Sequence, residues 1–280
     1  MFDFVITSRS STCDRPVSSR CALLLGASLV IGCAAPLLPQ RADTPQHVDE
    51  PALATPAKPD AAPAPDGVPP AHLRSLEVPG FLPALLFVPS GGAVRPLLVA
   101  AHGAGGNPEW ECEYWRRLTR EQRFVLCLRG TSMGAAGGFY YRDEHALEAE
   151  LIAAEHAARS SEARISAENG VYAGFSQGAS MGSAMIAKHG ASFPMLALIE
   201  GFEQWNIPRA RAFAKSGGRR VLFVCGTQQC GVVATESARW LERGGVEARV
   251  ELVSGAGHTP AGAVMPRVDA ALPWLLAAPL

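Results

Sequence analysis

From His72 onward the chain alternates between short apolar runs and longer stretches in which apolar residues recur every three or four positions. "PLLVAAH" (Pro96 to His102) and "FVLCLRG" (Phe124 to Gly130) are nearly continuous apolar runs, the pattern of strands buried on both faces. "VYAGF" (Val171 to Phe175), "MLALIE" (Met195 to Glu200), "VLFVCG" (Val221 to Gly226) and "ARVELV" (Ala248 to Val253) follow as further strands. Ahead of these, "LRSLEV" and "ALLFVP" flank Pro79-Gly80 and predict an antiparallel pair that opens the sheet. Helical periodicity fills the gaps, over Trp110 to Glu121, Glu144 to Arg159, Gln177 to His189, Pro208 to Lys215 and Glu236 to Arg243. A last helix runs through "RVDAALPWLLAA" and contains Pro273, where such a helix can bend. Strand–helix alternation predicts an α/β fold, with a mostly parallel eight-stranded sheet and helices on both faces. The segment between the sixth and seventh strands is short, so no large cap domain is expected there and the site should be open.

The first seventy residues follow a different rule. Arg15 and Arg20 precede "ALLLGASLVIG" (Ala22 to Gly32), an apolar run of signal-peptide length that is too short to span a bilayer. It ends in "VIGC", a small residue before Cys33, which resembles the bacterial lipobox. On that reading residues 1–32 are a lipoprotein signal peptide and Cys33 is lipidated, leaving an exported protein tethered to a membrane. The competing reading is an ordinary signal peptide with an incidental cysteine. About half of residues 34–70 are Pro or Ala, with almost no large apolar side chains. Such a stretch cannot bury a core and is expected to stay extended, with a reach on the order of 100 Å. The folded domain is therefore expected over residues 71–280.

Charge narrows the function. The formal net charge is -1, with no basic stripe to bind nucleic acid. Function must come from a site. Cysteines bear on the compartment. If Cys13 and Cys21 leave with the leader and Cys33 takes lipid, Cys112, Cys127, Cys225 and Cys230 remain. Cys225 and Cys230 can bond across a short loop, which leaves Cys112 with Cys127. Equally, Cys127 and Cys225 can be buried thiols on their strands. No His/Cys/Asp spacing suggests a zinc site.

The chemistry concentrates in "VYAGFSQGASMG". Ser176 follows a predicted strand, opens a predicted helix and lies between Gly174 and Gly178. That is the context of a nucleophile elbow, where small neighbours let strand and helix approach around a strained, exposed serine. A plain serine N-cap is the alternative. "HGAGG" (His102 to Gly106) directly follows the third strand, with His102 expected to hold the loop by hydrogen bonds. "GAGH" ends the loop after the eighth strand and supplies His258. His145, His156 and His189 fall in helical segments and read as surface or satisfied residues.

Together "GFSQGA", "HGAGG" and the terminal "G-x-G-H" resemble the serine esterases of the α/β-hydrolase superfamily, nearest to the carboxylesterase/phospholipase group that includes acyl-protein thioesterases. The resemblance covers Leu73 to Leu280. It implies Ser176 as nucleophile, His258 as base, the backbone N–H groups of Ala104 and Gln177 as oxyanion donors, an ester substrate and no cofactor. In that group the acid is an Asp just beyond the seventh strand. Here "CGTQQCG" puts Gln229 in that place, and no Asp occurs between Asp143 and Asp269. Glu200, at the end of the sixth strand on the same edge as Ser176, is the first choice for the acid. Glu203 is the second, and Gln229 as a neutral orienter in a Ser–His dyad is the third. Phe139, Tyr140, Tyr141, Met181 and Trp205 are candidates to line an acyl or aryl pocket, with core packing the competing role for each. Two rivals stand beside the esterase reading. One is a peptidase or thioesterase with the same triad, the other a non-catalytic binding domain that kept the elbow but lost its acid.

Overall fold

The computed structural model of the chain describes residues 69–277. The expected signal peptide, the lipidated Cys33 and the Pro/Ala-rich linker up to residue 68 lie outside the described residues. Eight strands form one sheet: β1 (His72–Leu76), β2 (Ala84–Val88), β3 (Leu97–Ala101), β4 (Phe124–Cys127), β7 (Val171–Phe175), β8 (Met195–Ile199), β9 (Arg220–Cys225) and β10 (Glu247–Leu252). A separate two-residue hairpin, β5 (Thr131–Ser132) with β6 (Phe139–Tyr140), follows β4. The sheet order is β1-β2-β4-β3-β7-β8-β9-β10. β1 and β2 pair antiparallel, β2 runs antiparallel to β4, and every pairing from β4 to β10 is parallel. This is the α/β-hydrolase fold expected from the alternation.

The apolar runs are continuous because each strand feeds two cores. In β3, Leu97, Val99 and Ala101 enter one core, while Leu98 and Ala100 enter the other. The first core packs under α2 (Glu144–Ser161), α3 (Gln177–Met185), α4 (Ile207–Ser216) and α5 (Gln228–Arg243). The second lies under α1 (Pro108–Leu118) and α6 (Val264–Leu276). Local chemistry sets the helix starts. Asn107, Asp143, Asn206 and Thr227 each offer a side-chain oxygen to a backbone N–H in the first turn. The Thr227 cap starts α5 at Gln228, two turns before the Glu236 expected from periodicity. The intervening "QQCGVVAT" carries Gly231 and Cys230 and hides the helical period.

The four cysteines among the described residues are paired as Cys112–Cys127 and Cys225–Cys230. The first bond ties α1 to β4 inside the second core. The second ties the end of β9 to the first turn of α5.

Candidate active site

β7 ends at Phe175 and α3 begins at Gln177, so the chain must reverse within one residue. Ser176 makes that turn at φ 49° and ψ −111°, a conformation rarely held by a residue with a side chain. Its hydroxyl makes no capping bond to the helix, which removes the N-cap alternative. The elbow requires its glycines. A Cβ on Gly178 would lie 2.2 Å from the Ala101 carbonyl oxygen, and one on Gly174 would lie 2.6 Å from the Ala179 nitrogen.

The fold brings two distant side chains to Ser176. His258, on the loop after β10, places Nε2 2.8 Å from Ser176 Oγ. Its Nδ1 lies 3.1 Å from Glu200 Oε2. Glu200 follows β8 and also holds a left-handed backbone, at φ 51°. Its side chain is only 2% exposed, against 55% for His258. Glu200 Oε1 accepts the N–H groups of Gly226 and of Thr227, the latter at 2.9 Å. The Thr227 hydroxyl lies 3.2 Å from Oε2. Neither other acid candidate lies in this network. Glu203 is 51% exposed and pairs with Arg209 at 2.9 Å. Gln229 is exposed in the first turn of α5.

Opposite His258 stands the loop after β3. His102 is buried, and its ring faces the carbonyl oxygens of Gly103 at 2.7 Å and Arg129 at 2.9 Å. Burial pushes its pKa below the ordinary imidazole value, against the two carbonyl oxygens, which raise it. The loop is clamped by β6: Gly105 N–H donates to Phe139 O at 2.8 Å, and Phe139 N–H donates to Gly106 O at 2.9 Å. Gly103 crosses so near the elbow that a Cβ would meet Ser176 Cβ at 3.1 Å. Ala104 is exposed beside it. Among the described residues, neither Ala104 N–H nor Gln177 N–H donates to another backbone group. The Gln177 side chain accepts Tyr141 N–H at 2.8 Å and so joins the elbow to the hairpin.

The expected pocket residues separate. Tyr140 on β6 and Met181 on α3 are partly exposed. Tyr141 and Trp205 are buried. Tyr141 is 2% exposed and stacks on His102, and Trp205 is 1% exposed and packs against Phe213. Large aromatic surface at the strand ends is drawn into the core, the competing role expected for these residues, although Tyr141 still lines a cavity beside Gly130 and Arg142. Phe202, Gln229, Cys230 and Val233, none of them in the expected set, line an open groove of about 190 Å³ beside His258. The hairpin was also missed, although the positive φ angles of Gly134, Gly137 and Gly138 explain the glycines in "GAAGG".

The sequence matches no family model and no curated protein. Among solved structures it is similar in fold to TT1662 from Thermus thermophilus, at 16% identity and a TM-score of 0.57, over 75% of this chain and 99% of that one. A carboxylesterase from Mesorhizobium loti is similar at 18% identity and a TM-score of 0.52, over 71% and 98%. FphF, a fluorophosphonate-binding serine hydrolase of Staphylococcus aureus, is similar at 16% identity and a TM-score of 0.52, over 75% and 100%. At such identities the likeness carries the fold, and function rests on the site.

Proposed function

We propose that this chain is a serine hydrolase that cleaves carboxylic esters through an acyl-enzyme, with Ser176, His258 and Glu200 as its triad. One observation carries the reading: an unbroken line of contacts from Ser176 Oγ through the imidazole of His258 to a buried carboxylate. A serine hydroxyl is a weak nucleophile and needs a base within hydrogen-bond reach. Glu200 accepts Nδ1–H and so leaves the Nε2 lone pair facing the hydroxyl. As Ser176 Oγ attacks the ester carbonyl, its proton passes to His258 Nε2, and Glu200 stabilises the imidazolium. The oxyanion forms between the N–H groups of Ala104 and Gln177. His258 then protonates the leaving alcohol, and water hydrolyses the acyl-enzyme by the same route in reverse. No step calls for a cofactor or a metal.

The groove beside His258 is a candidate subsite for one side of the ester. At about 190 Å³ it has room for a group of roughly benzene size, since cavities of about 150 Å³ take up benzene. The lipid anchor at Cys33 and an exported, membrane-tethered location are proposed on the sequence alone. Intact-mass analysis of protein exported by a bacterial host would show an acylated Cys33 at the mature N-terminus, and a different N-terminus without lipid would reject the anchor.

A fluorophosphonate probe together with ester, thioester and amide substrates tests the enzymatic reading. Wild-type protein should label at Ser176 and turn over esters fastest. Folded Ser176→Ala should do neither. Substantial ester turnover by that variant would reject Ser176 as nucleophile, and faster amide or thioester turnover would move the assignment to a peptidase or thioesterase.

A further inference from the structure

We infer that the turn joining β9 to α5, fastened by the Cys225–Cys230 disulfide, positions the triad acid, and that Thr227 is its working side chain. The inference rests on the proposal that Glu200 is that acid. A carboxylate taken out of water must find hydrogen-bond donors. Glu200 finds three groups in this turn: Gly226 N–H, Thr227 N–H at 2.9 Å and the Thr227 hydroxyl at 3.2 Å. Oε1 is occupied by the two amides, which leaves Oε2 for the hydroxyl and for His258.

Thr227 is suited to this by its second contact. A threonine hydroxyl carries one proton and two lone pairs. As the cap of α5 its oxygen faces Cys230 N–H, at 3.4 Å. With a lone pair turned to the helix, the hydroxyl proton is free to point at Glu200. Cys230 is also the residue whose sulfur bonds Cys225, immediately before Gly226. The disulfide thus closes a ring that contains both amides and the hydroxyl. Both sulfurs lie against the acid, since they and a Glu200 carboxylate oxygen are within 4.8 Å of one another.

This arrangement accounts for the departure at Gln229. In the group that the sequence resembles, the turn after this strand carries the acid. Here Gln229 is exposed on α5, and the same turn instead receives a carboxylate from the neighbouring strand β8. A glutamate arriving from β8 must reach both the turn and His258, and the turn holds its long side chain in one rotamer.

Thr227→Val keeps the shape and both amide donors but removes the hydroxyl, and Thr227→Ser restores it. Losing one hydrogen bond to a charged group should lower kcat for ester turnover about 10- to 100-fold with KM little changed. Thr227→Ser should recover most of the rate. The double variant Cys225→Ala/Cys230→Ala should lower kcat in the same direction, and combining it with Thr227→Val should cost less than the product of the two losses. The Nδ1 proton resonance of His258, followed by NMR in ¹⁵N-histidine-labelled protein, reports the acid–imidazole contact whether or not any ester is turned over. Thr227→Val should shift or broaden it, and Thr227→Ser should restore it. If that resonance is unmoved in folded Thr227→Val, or if serine fails to rescue, the positioning role is wrong. If the resonance moves as expected but the wild type hydrolyses nothing, the positioning role stands and the esterase reading fails.

Discussion

Replacing Glu200 by glutamine tests the proposed triad at its acid member. The variant is nearly isosteric, so its effect follows from where the amide must point. The Oε1 site faces two backbone N–H groups, from Gly226 and Thr227, and only an oxygen can accept both. The glutamine NH₂ is therefore forced into the Oε2 site, 3.1 Å from His258 Nδ1 and 3.2 Å from Thr227 Oγ1. An N–H aimed at Nδ1 makes that nitrogen an acceptor and moves the ring proton to Nε2. Nε2, 2.8 Å from Ser176 Oγ, then donates to the hydroxyl and cannot take its proton. Losing the orienting carboxylate of a serine triad lowers turnover by about 10⁴-fold, or about 5 kcal/mol of transition-state stabilisation. In a stopped-time assay with a nitrophenyl ester, kcat should fall by that order with KM within a few-fold, and circular dichroism should be unchanged. Glu203→Gln, which alters an exposed residue paired with Arg209, should keep full activity. If folded Glu200→Gln keeps more than about a tenth of the wild-type kcat, the tautomer argument fails and Glu200 is not the acid.

Three further outcomes follow from the packing. Gly201→Ala would set a Cβ 2.3 Å from the Ser176 carbonyl oxygen and 2.9 Å from its Cα, contacts that neither backbone can yield. The elbow must shift, so kcat should drop at least about 100-fold and stability by about 1–3 kcal/mol, measured by ester assay and urea titration. Glu111 is buried in α1, where burial pushes its carboxyl up to about 7 from an ordinary 4.5. Between those pH values unfolding releases a proton, so stability should fall as pH rises through this window, by about 3 kcal/mol in all, and level off above it. Glu111→Gln, which keeps the acceptor for Trp115, should flatten this slope in urea midpoints between pH 5 and pH 8. Removing the fully buried Cys112–Cys127 bond, which spans 15 residues, should destabilise the domain by about 2–3 kcal/mol and lower its melting temperature, with the ester kcat retained.

Much of the architecture was written into the sequence by local physics. A strand buried on both faces must be apolar throughout, so five of the six parallel strands announce themselves as runs, while the partly exposed edge strand β10 carries Arg249 and Glu251 between its apolar residues, and the helices between them keep a readable period. The elbow is likewise local. A serine between Gly174 and Gly178, after a strand and before a helix, can adopt few other conformations. Where side chains met the core, the pattern was ambiguous: Tyr141 and Trp205 lie at strand ends where a pocket or the interior could claim them, and their large apolar area took them inside. The start of α5 was hidden because its first turns carry glycine and cysteine, although the Thr227 cap was there to be read.

The proposed acid depends most on the tertiary structure. Six glutamates lie between Ser176 and His258; the strand pattern ranks Glu200 first, because it ends a strand at the edge where Ser176 stands, but whether its side chain reaches the imidazole is not a local property. Glu200 and His258 are 58 residues apart and meet only because β8, β9 and β10 lie side by side and deliver their ends to one edge. Its left-handed backbone and its cradle of donors from the next strand are properties of that edge. Local patterns specify the sheet, the elbow and the candidates. Which candidate approaches the imidazole was decided by long-range packing, because a hydrogen bond of about 3 Å depends on where three separate strands end.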